Sequence, residues 1–266
     1  MEYQIISAFA DKPFSGNPAG VCLPETWPSA TTMQSIATQN NLSETAFVVE
    51  DEPGIYGLRW FTPTLEIDLC GHATLASAFA LFGDREKDAH KLKFNTASGL
   101  LTVTRDGEYL CLDFPAALTT ECPIHPSIKR AFGIDPIAMF QSIDFLALVE
   151  DEKTLRDLEP DFNKLMRLKA EAGLDHDRFG VIVTAPGDEC DFVSRYFAPN
   201  VGVPEDPVTG RAHCTLTPFW SKRLGKKVME AKQLSARGGA LRCEDCNERV
   251  KISGKAVRYL KGNIEL

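Results

Sequence analysis

The chain lacks the features that mark several large classes of protein. No apolar run approaches the roughly 20 residues that a membrane helix needs. Residues 1–6 contain neither a basic stretch nor a long apolar one, so we expect no signal peptide. The sequence has no P-loop, no Gly-x-Gly-x-x-Gly after a strand and no His-Glu-x-x-His. Nucleotide-binding and zinc-protease functions are therefore without support.

Basic residues are in deficit. The chain has 29 Lys and Arg against 37 Asp and Glu, which gives a net charge of -8. A protein of this charge is repelled by nucleic acid and by anionic membrane surfaces. We therefore expect neither nucleic acid nor a membrane as a partner.

Cysteine is present but shows no disulfide or metal pattern. Eight cysteines are scattered through the chain, and without a signal peptide we expect reduced thiols in a cytoplasmic protein. Cys243 and Cys246 have the spacing of a zinc pair, but structural zinc needs four ligands and no second pair matches. A hairpin turn is the favoured interpretation, and we predict no metal.

The composition and the order of elements predict an α+β fold. The 266 residues are 44% hydrophobic and 25% charged, which suits one large or two medium globular domains. Helix signals alternate with strands that are mostly joined as hairpins, so helices should cover twisted, largely antiparallel sheets. The periodicity is lost at residues 115–120. We therefore predict domains at 1–118 and 119–266, with the last strand free to cross back to the first domain.

Residues 59–82 form the most informative stretch. They predict a strand, a loop, and a helix that begins at Gly71 and His72 and ends at a glycine cap, Gly83. Leu75, Phe79 and Phe82 give this helix one apolar stripe. The free N–H groups at a helix start attract carboxylates and phosphates, so this end of the helix is a candidate ligand site.

An internal repeat places a second copy of this stretch downstream. Arg-Trp-Phe-Thr-Pro at 59–63 matches Arg-Tyr-Phe-Ala-Pro at 195–199, and we align the later His-Ala-Thr-Leu at His72 with His-Cys-Thr-Leu at His213. The repeat predicts two similar domains. We expect their helix starts to face each other across a cleft and to hold one small polar molecule.

Each candidate residue also has a plain structural explanation. Glu44 begins a strand, where a carboxylate is either solvated or a proton-transfer group with a raised pKa. His72 is either a partly buried helix-start histidine or a ligand-binding group. Cys70 is either an inert buried thiol or a proton carrier whose pKa the helix start lowers. Asp206 suits an N-cap or a turn.

Several motifs, taken together, resemble the PhzF family of phenazine-biosynthesis-like isomerases, which share the diaminopimelate epimerase fold. They occur in family order over nearly the whole chain, at residues 14–21, 41–47, 59–63, 68–76 and 205–213. The resemblance implies two pseudo-symmetric diaminopimelate epimerase-like domains, each a mostly antiparallel sheet curled around a central helix. It also implies a site between the domains, a homodimer, and neither a metal nor an organic cofactor.

The resemblance also implies roles for single residues. The glutamate that moves a proton between carbons of trans-2,3-dihydro-3-hydroxyanthranilate in the family's isomerase corresponds to Glu44. His72 and Asp206 correspond to catalytic residues that hold the substrate and assist the proton relay. Asn17 corresponds to a substrate-side asparagine of the family. We also expect Cys70, Gly71, Ala73, Thr209, Gly210 and Arg211 to bind substrate.

Two departures from the family pattern bear on the substrate. Many members have serine where this chain has Arg211, and a guanidinium there could bind an extra carboxylate or phosphate through two hydrogen bonds. The epimerase relatives use one cysteine from each half, but here only Cys70 matches. A two-thiol racemase is therefore disfavoured.

Three functions remain open at this point. The first is a cofactor-independent isomerase in which Glu44 shifts a proton on a small, carboxylate-bearing and cyclic substrate. The second is an amino-acid racemase or epimerase that uses Cys70. The third is a binding or interaction protein that keeps the fold without catalysis.

Overall fold

The chain forms two compact units. The computed structural model describes residues 1–174, 176 and 179–266. Unit 1 comprises Met1–Phe114 with Lys251–Leu266, and unit 2 comprises Pro115–Val250. The sequence places the boundary after Leu118, whereas the contacts divide the chain before Pro115. The physical reason is that the N–H groups of Ala116 and Ala117 donate to carbonyls of unit 2, at Glu248 and Cys214.

The helices and strands are numbered in chain order. The elements up to Pro115 are β1 (Glu2–Ala8), β2 (Asn17–Leu23), α1 (Ala30–Asn40), β3 (Glu44–Glu52), β4 (Ile55–Phe61), β5 (Glu66–Ile67), α2 (Gly71–Asp84), β6 (Lys91–Thr96), β7 (Gly99–Asp106) and β8 (Tyr109–Pro115). The later elements are β9 (Thr120–Cys122), α3 (Pro126–Phe132), β10 (Ala138–Gln141), β11 (Phe145–Leu148), α4 (Glu152–Arg156), α5 (Phe162–Leu165), α6 (Leu168–Glu171), β12 (Val181–Pro186), β13 (Phe192–Ala198), β14 (Val203–Asp206), α7 (Gly210–Leu224), β15 (Val228–Gln233), β16 (Gly239–Asp245), β17 (Arg249–Gly254) and β18 (Ala256–Asn263).

The two units repeat one pairing scheme. In unit 1, β2 and β3 are parallel, β4 is antiparallel to both β3 and β5, and β6 is parallel to β4. In unit 2, the strands β11 to β15 pair in the same order and with the same senses. Most of the other pairings in both units are antiparallel hairpins, including β6–β7 and β15–β16. The predicted α+β class with largely antiparallel sheets is therefore confirmed.

The central helix of unit 1, α2, is buried on nearly every side. Its buried residues run from His72 to Phe82 and leave out only the half-buried Phe79. It contacts β1, β2, β3 and β18. The single apolar stripe predicted from the sequence was therefore too narrow, because the small alanines let strands approach the other faces too. A helix that is apolar all round belongs in a core.

Hydrogen bonds back to the helix itself satisfy the buried hydroxyls of α2. Thr74 Oγ1 donates to the carbonyl of Cys70 at 2.5 Å, and Ser77 Oγ donates to that of Ala73 at 2.7 Å. Such bonds to the residue four positions earlier are how buried Ser and Thr avoid an unmet polar group in a helix. In the corresponding helix of unit 2, Thr217 does the same to His213.

Three local predictions were wrong. Gly83 does not end α2; a Cβ there would lie 3.3 Å from the guanidinium of Arg258, so the glycine makes room for that side chain. The sequence of residues 161–171 predicts one helix, but the chain forms two, α5 and α6, because the bonding changes to a tighter turn where the Arg167 N–H donates to the Lys164 carbonyl. The turn-forming residues 14–20 predict a loop, but those from Asn17 onward belong to β2, which pairs with β1.

In each unit, a bidentate Arg–Glu pair precedes the central helix in the sequence. Arg59 on β4 binds both carboxylate oxygens of Glu66 on β5, at 2.7 and 2.8 Å. Arg195 on β13 binds Glu205 on β14 in the same way, at 2.7 and 3.0 Å. Arg195 also donates to the carbonyls of residues 155 and 158, and its side chain is 10% exposed against 34% for Arg59. The two pairs have the same geometry but differ in burial.

No helix in the described part of the chain is long and apolar enough to cross a membrane.

The Arg195–Glu205 pair is more buried than the Arg59–Glu66 pair, which predicts unequal effects on stability. Arg195→Met leaves the half-buried carboxylate of Glu205 and two backbone carbonyls without their hydrogen-bond donor. This should lower the free energy of unfolding by about 3–5 kcal/mol. Arg59→Met breaks a partly exposed pair and should cost about 0–1 kcal/mol. Denaturant melts of the two variants measure both values, each variant serving as the control for the other. Equal losses would contradict this account of the repeated pair.

Candidate active site

Glu44 and His72 form a buried charge pair in unit 1. Glu44 is the first residue of β3, where it pairs with Ala19 on the parallel strand β2. His72 is the second residue of α2. Its Nε2 lies 3.1 Å from Oε2 of Glu44, and the two side chains are 7% and 15% exposed. Both residues were predicted from the sequence, and the fold brings them into contact.

The other ring nitrogen of His72 has two polar neighbours. Nδ1 lies 3.3 Å from the amide nitrogen of Asn17, the fully buried first residue of β2, and 3.5 Å from the sulfur of Cys70. The oxygen and nitrogen of an asparagine amide exchange places by a flip of the group. Asn17 can therefore either donate to a neutral ring or accept from a protonated one. The predicted residues Asn17, Cys70 and His72 thus surround one imidazole.

The charge on His72 depends on its neighbours. Burial alone lowers the pKa of His72, but Cys70 and Glu44 beside the ring raise it, and the net pKa lies well above the ordinary value of 6.5. Burial and the charge of Glu44 raise the pKa of Cys70, so its sulfur is a neutral thiol near pH 7. The carboxylate of Glu44 is therefore the charge that keeps the proton on His72.

The helix start does not activate Cys70 as a thiolate. Cys70 is the N-cap of α2, and the sequence left open a lowered pKa from the helix start. The backbone of Ala73 and the imidazole of His72 do lower the pKa of Cys70, but burial outweighs them. Sequence position alone does not reveal such burial.

The charge pair contains polar atoms that a ligand could use. Oε2 of Glu44 and Nε2 of His72 are at ion-pair distance, yet neither has a well-aligned hydrogen-bond partner among the described residues. Buried polar atoms normally have such a partner. Gly71 and Ala73, the neighbouring residues predicted to bind substrate, lie in the first turn of the same helix. The arrangement therefore suits a small polar molecule.

The same side chains have the chemistry of a metal-ligand set. One ligand atom from each of Glu44, Cys70 and His72 falls within 4.8 Å of the others. A metal needs a neutral imidazole and a thiolate, so it would have to displace the protons that the raised pKa values of His72 and Cys70 retain. These residues fit a proton-handling site better than a metal site.

In unit 2, the predicted residues gather at the start of α7. Thr209 is the N-cap, its hydroxyl donates to Oδ2 of Asp206 at 2.5 Å, and Gly210 is the first helical residue. The sequence suggested Asp206 as an N-cap or a turn residue. The N-cap is instead Thr209, and Asp206 accepts a hydrogen bond from its hydroxyl. Gln233, which the sequence analysis missed, accepts from the Thr209 N–H at 2.9 Å and donates to the carbonyl of Asp206.

Arg211, the second residue of α7, also has a partner that the sequence did not reveal. Its Nη2 donates to Oδ1 of Asp144 at 2.9 Å. Asp144 directly precedes β11 and is buried. The two residues are 67 positions apart, and no local pattern in the sequence marks Asp144.

The structure corrects the alignment of the repeat by two positions. The bidentate glutamates Glu66 and Glu205 precede the first helical glycine, Gly71 or Gly210, by the same spacing. His72 therefore corresponds to Arg211, and His213 corresponds to Thr74. Their contacts agree with this alignment. Nδ1 of His213 lies 2.8 Å from the carbonyl oxygen of Thr209, four residues earlier, and the Thr74 hydroxyl likewise contacts the carbonyl oxygen of Cys70, four residues earlier.

His213 is a buried neutral histidine. Burial lowers the pKa of His213 to about 4, and its hydrogen bond to the Thr209 carbonyl offsets only part of this effect. It therefore differs from His72, which lies beside a carboxylate. The sequence alignment of the two histidines was wrong because it matched residue type rather than the distance to the helix start.

The fold and this site define an α+β protein with a buried acid–base pair at a helix start. A family model described as "Phenazine biosynthesis-like protein", PhzC-PhzF, matches residues 6–262. The chain belongs to this phenazine biosynthesis-like family.

Relatives and solved structures agree over the full length. An uncharacterized isomerase of Pseudomonas aeruginosa is 48% identical, with 98% of this chain and 97% of the relative covered. The crystal structure of a PhzF-family protein from Enterococcus faecalis is 46% identical with a TM-score of 0.93, covering 100% of this chain and 99% of that one. A putative PhzC/PhzF protein from Clostridium difficile is 44% identical with a TM-score of 0.92 and covers both chains fully.

The source of the proton on His72 can be tested with Glu44→Gln. The substitution keeps the side-chain shape but removes the negative charge, so burial should prevail and the pKa of His72 should fall below about 6.5. NMR titration of the histidine rings measures the change, and His213 is an internal control whose pKa should stay near 4. A pKa of His72 that does not fall would exclude Glu44 as the cause.

The same pair gives stability a pH dependence of known sign. Because the folded pKa of His72 is raised, its stabilising effect is complete below the unfolded pKa near 6.5. It is lost as the pH rises through the folded pKa. In Glu44→Gln, the free energy of unfolding should therefore differ less between mildly acidic and more alkaline solution than it does in the unsubstituted protein.

Proposed function

We propose that this protein is a cofactor-independent isomerase in which Glu44 shifts a proton on a small, cyclic, carboxylate-bearing substrate. The observation that carries the proposal is the buried Glu44–His72 pair, whose Oε2 and Nε2 atoms lack aligned partners within the described chain. Relatives named as isomerases support the reaction class. The resemblance to the PhzF isomerase supports the role of the glutamate.

The proposed reaction is a proton shift without a change of oxidation state. Oε2 of Glu44 takes a proton from a carbon next to a conjugated group, and the electron pair of that C–H bond moves into the conjugated system. The proton on Glu44 is then returned to a different carbon, which restores the carboxylate. The imidazolium of His72 and the N–H groups at the start of α2 stabilise the negative charge that develops on the substrate.

The remaining residues are proposed to bind the substrate. Asn17, Cys70, Gly71 and Ala73 surround His72 or lie in the first turn of α2. In unit 2, we assign substrate binding to Thr209, Gly210 and Arg211, with Asp206 assisting the proton relay. The hydrogen bond from Thr209 to Asp206 supports a fixed carboxylate there. We further expect a cytoplasmic homodimer.

Glu44→Gln should abolish proton exchange. The protein is incubated in deuterated water with cyclic amino and hydroxy carboxylates, including trans-2,3-dihydro-3-hydroxyanthranilate, and mass spectrometry follows deuterium uptake. A general base contributes about 10²–10⁴-fold, so the variant should lose at least about 100-fold. Glu50→Gln, at an exposed position of the same strand, should keep the full rate.

Two results would overturn the proposal. One is an absence of label uptake and of isomer product across the whole panel, which would favour a binding protein without catalysis. The other is equal uptake by Glu44→Gln and the unsubstituted protein, which would assign the proton transfer to another group.

A racemase that uses Cys70 is the second candidate. The position of its sulfur, 3.5 Å from Nδ1 of His72, favours it, whereas the raised pKa of the thiol opposes it. Under the isomerase proposal, Cys70→Ser should keep exchange within about tenfold, because a hydroxyl replaces a group that is not the base.

The control for this variant is Cys111→Ser, a half-buried thiol on β8. Loss of exchange in Cys70→Ser, with an unchanged melting temperature and full activity in the control, would support the racemase instead.

A further inference from the structure

Asp144 and Arg211 form a second charge pair at a central helix, and this one joins a buried side chain to a partly exposed one. Oδ1 of Asp144 accepts from Nη2 of Arg211 at 2.9 Å. The side chain of Asp144 is 0% exposed, whereas that of Arg211 is 41% exposed. One end of the pair is thus in the core, while the arginine side chain is partly exposed to solvent.

Rigid groups hold the carboxylate of Asp144 in place. The same Oδ1 accepts from the backbone N–H of Gly180 at 2.8 Å and from the hydroxyl of Tyr196 at 3.3 Å. Its other oxygen, Oδ2, is buried without a hydrogen-bond partner among the described residues. Oδ1 of Asp144 is thus held by three hydrogen bonds, of which one comes from the guanidinium of Arg211.

The repeat shows how this pair differs from the one in unit 1. Thr45 pairs with Phe61 in unit 1, and Val181 pairs with Phe197 in unit 2. Thr45 and Val181 are therefore equivalent, and so are the residues that precede them, Glu44 and Gly180. A Cβ at Gly180 would lie 2.2 Å from the hydroxyl of Tyr196, so a side chain has no space there. Unit 2 therefore has no carboxylate at the position of the proposed base.

The cation of the pair also differs. An arginine keeps its proton at any pH that a protein survives, whereas the histidine at the corresponding position of unit 1 can release it. Arg195 gives a comparison within unit 2: its donors bind Glu205 twice and two backbone carbonyls, and it is nearly buried. Arg195 is a structural arginine. Arg211, whose side chain is far more exposed than that of Arg195, has the geometry of one that meets a ligand.

We infer that Asp144 is a positioning residue that holds Arg211 to bind an oxyanion, a carboxylate or a phosphate, on the ligand. The planar guanidinium suits two parallel hydrogen bonds to such a group. The inference rests on the proposed function in taking this oxyanion to be a group of the substrate. What it adds is Asp144, which no motif in the sequence marks, and the acidic group of the substrate as the part that Arg211 binds.

The test measures binding without turnover. Isothermal titration calorimetry with sodium malonate and, separately, inorganic phosphate is performed on the full chain at constant ionic strength. Arg211→Met should weaken the preferred probe at least about tenfold, the usual cost of a lost charged hydrogen bond. Asp144→Asn should weaken it by a similar factor. Arg223→Met, on the same helix, should leave the affinity unchanged.

The double variant separates positioning from a general structural effect. If Asp144 acts through Arg211, then Asp144→Asn should cause no further loss in the Arg211→Met background. The relative affinity for malonate and phosphate shows which oxyanion is preferred. Thermal melts confirm that each variant is folded, and Arg211→Met, at an exposed position, decides the role of the arginine even if Asp144→Asn fails to fold.

Three results would overturn the inference. They are no saturable binding of either probe, unchanged affinity in Arg211→Met, or an equal further loss from Asp144→Asn when Arg211 is absent. Each of these can occur while Glu44-dependent exchange is intact, so a failure here is distinct from a failure of the proposed function.

Discussion

The need to neutralise a buried carboxylate constrains the arrangement of unit 1. Glu44 begins a strand with its side chain only 15% exposed, so leaving its charge unpaired would be costly. The imidazolium of His72, 3.1 Å away at the start of a buried helix, offsets that cost. The parallel pairing of β2 and β3 fixes Glu44, and the chain's turn into α2 fixes His72. The proposed chemistry starts from this pair, because it places a carboxylate and an imidazole side by side at a helix start.

The repeat uses one scaffold for two electrostatic tasks. A bidentate Arg–Glu pair precedes each central helix, and a cation occupies the second position of each helix. In unit 1 that cation is His72, which can exchange a proton with the neighbouring glutamate. In unit 2 it is Arg211, whose charge is permanent and whose carboxylate partner is buried. Under the proposed function, the exchange of histidine for arginine at this position separates a group that takes part in proton transfer from one that keeps its charge.

The sequence predicted the helix start and the site residues that local motifs mark. The helix start at Gly71 was predicted from the glycine and the apolar run after it, and the residues of the Glu44–His72 pair came from motifs. Asp144 was missed because its contact with Arg211 joins residues far apart in the chain, and nothing near Asp144 marks it. For Cys70 the sequence left an inert buried thiol and an activated one open, because burial sets the direction of its pKa shift. Long-range pairing and desolvation were the two things that local patterns could not supply.

The most direct test of the central claim is a crystal structure of the protein with a substrate that exchanges deuterium, or with its unreactive analogue. We expect the exchanging carbon to lie within about 3–3.5 Å of a carboxylate oxygen of Glu44, the range of a near-attack geometry, with His72 beside that carboxylate. A structure in which that carbon instead lies against the sulfur of Cys70, with Glu44 out of reach, would contradict the account.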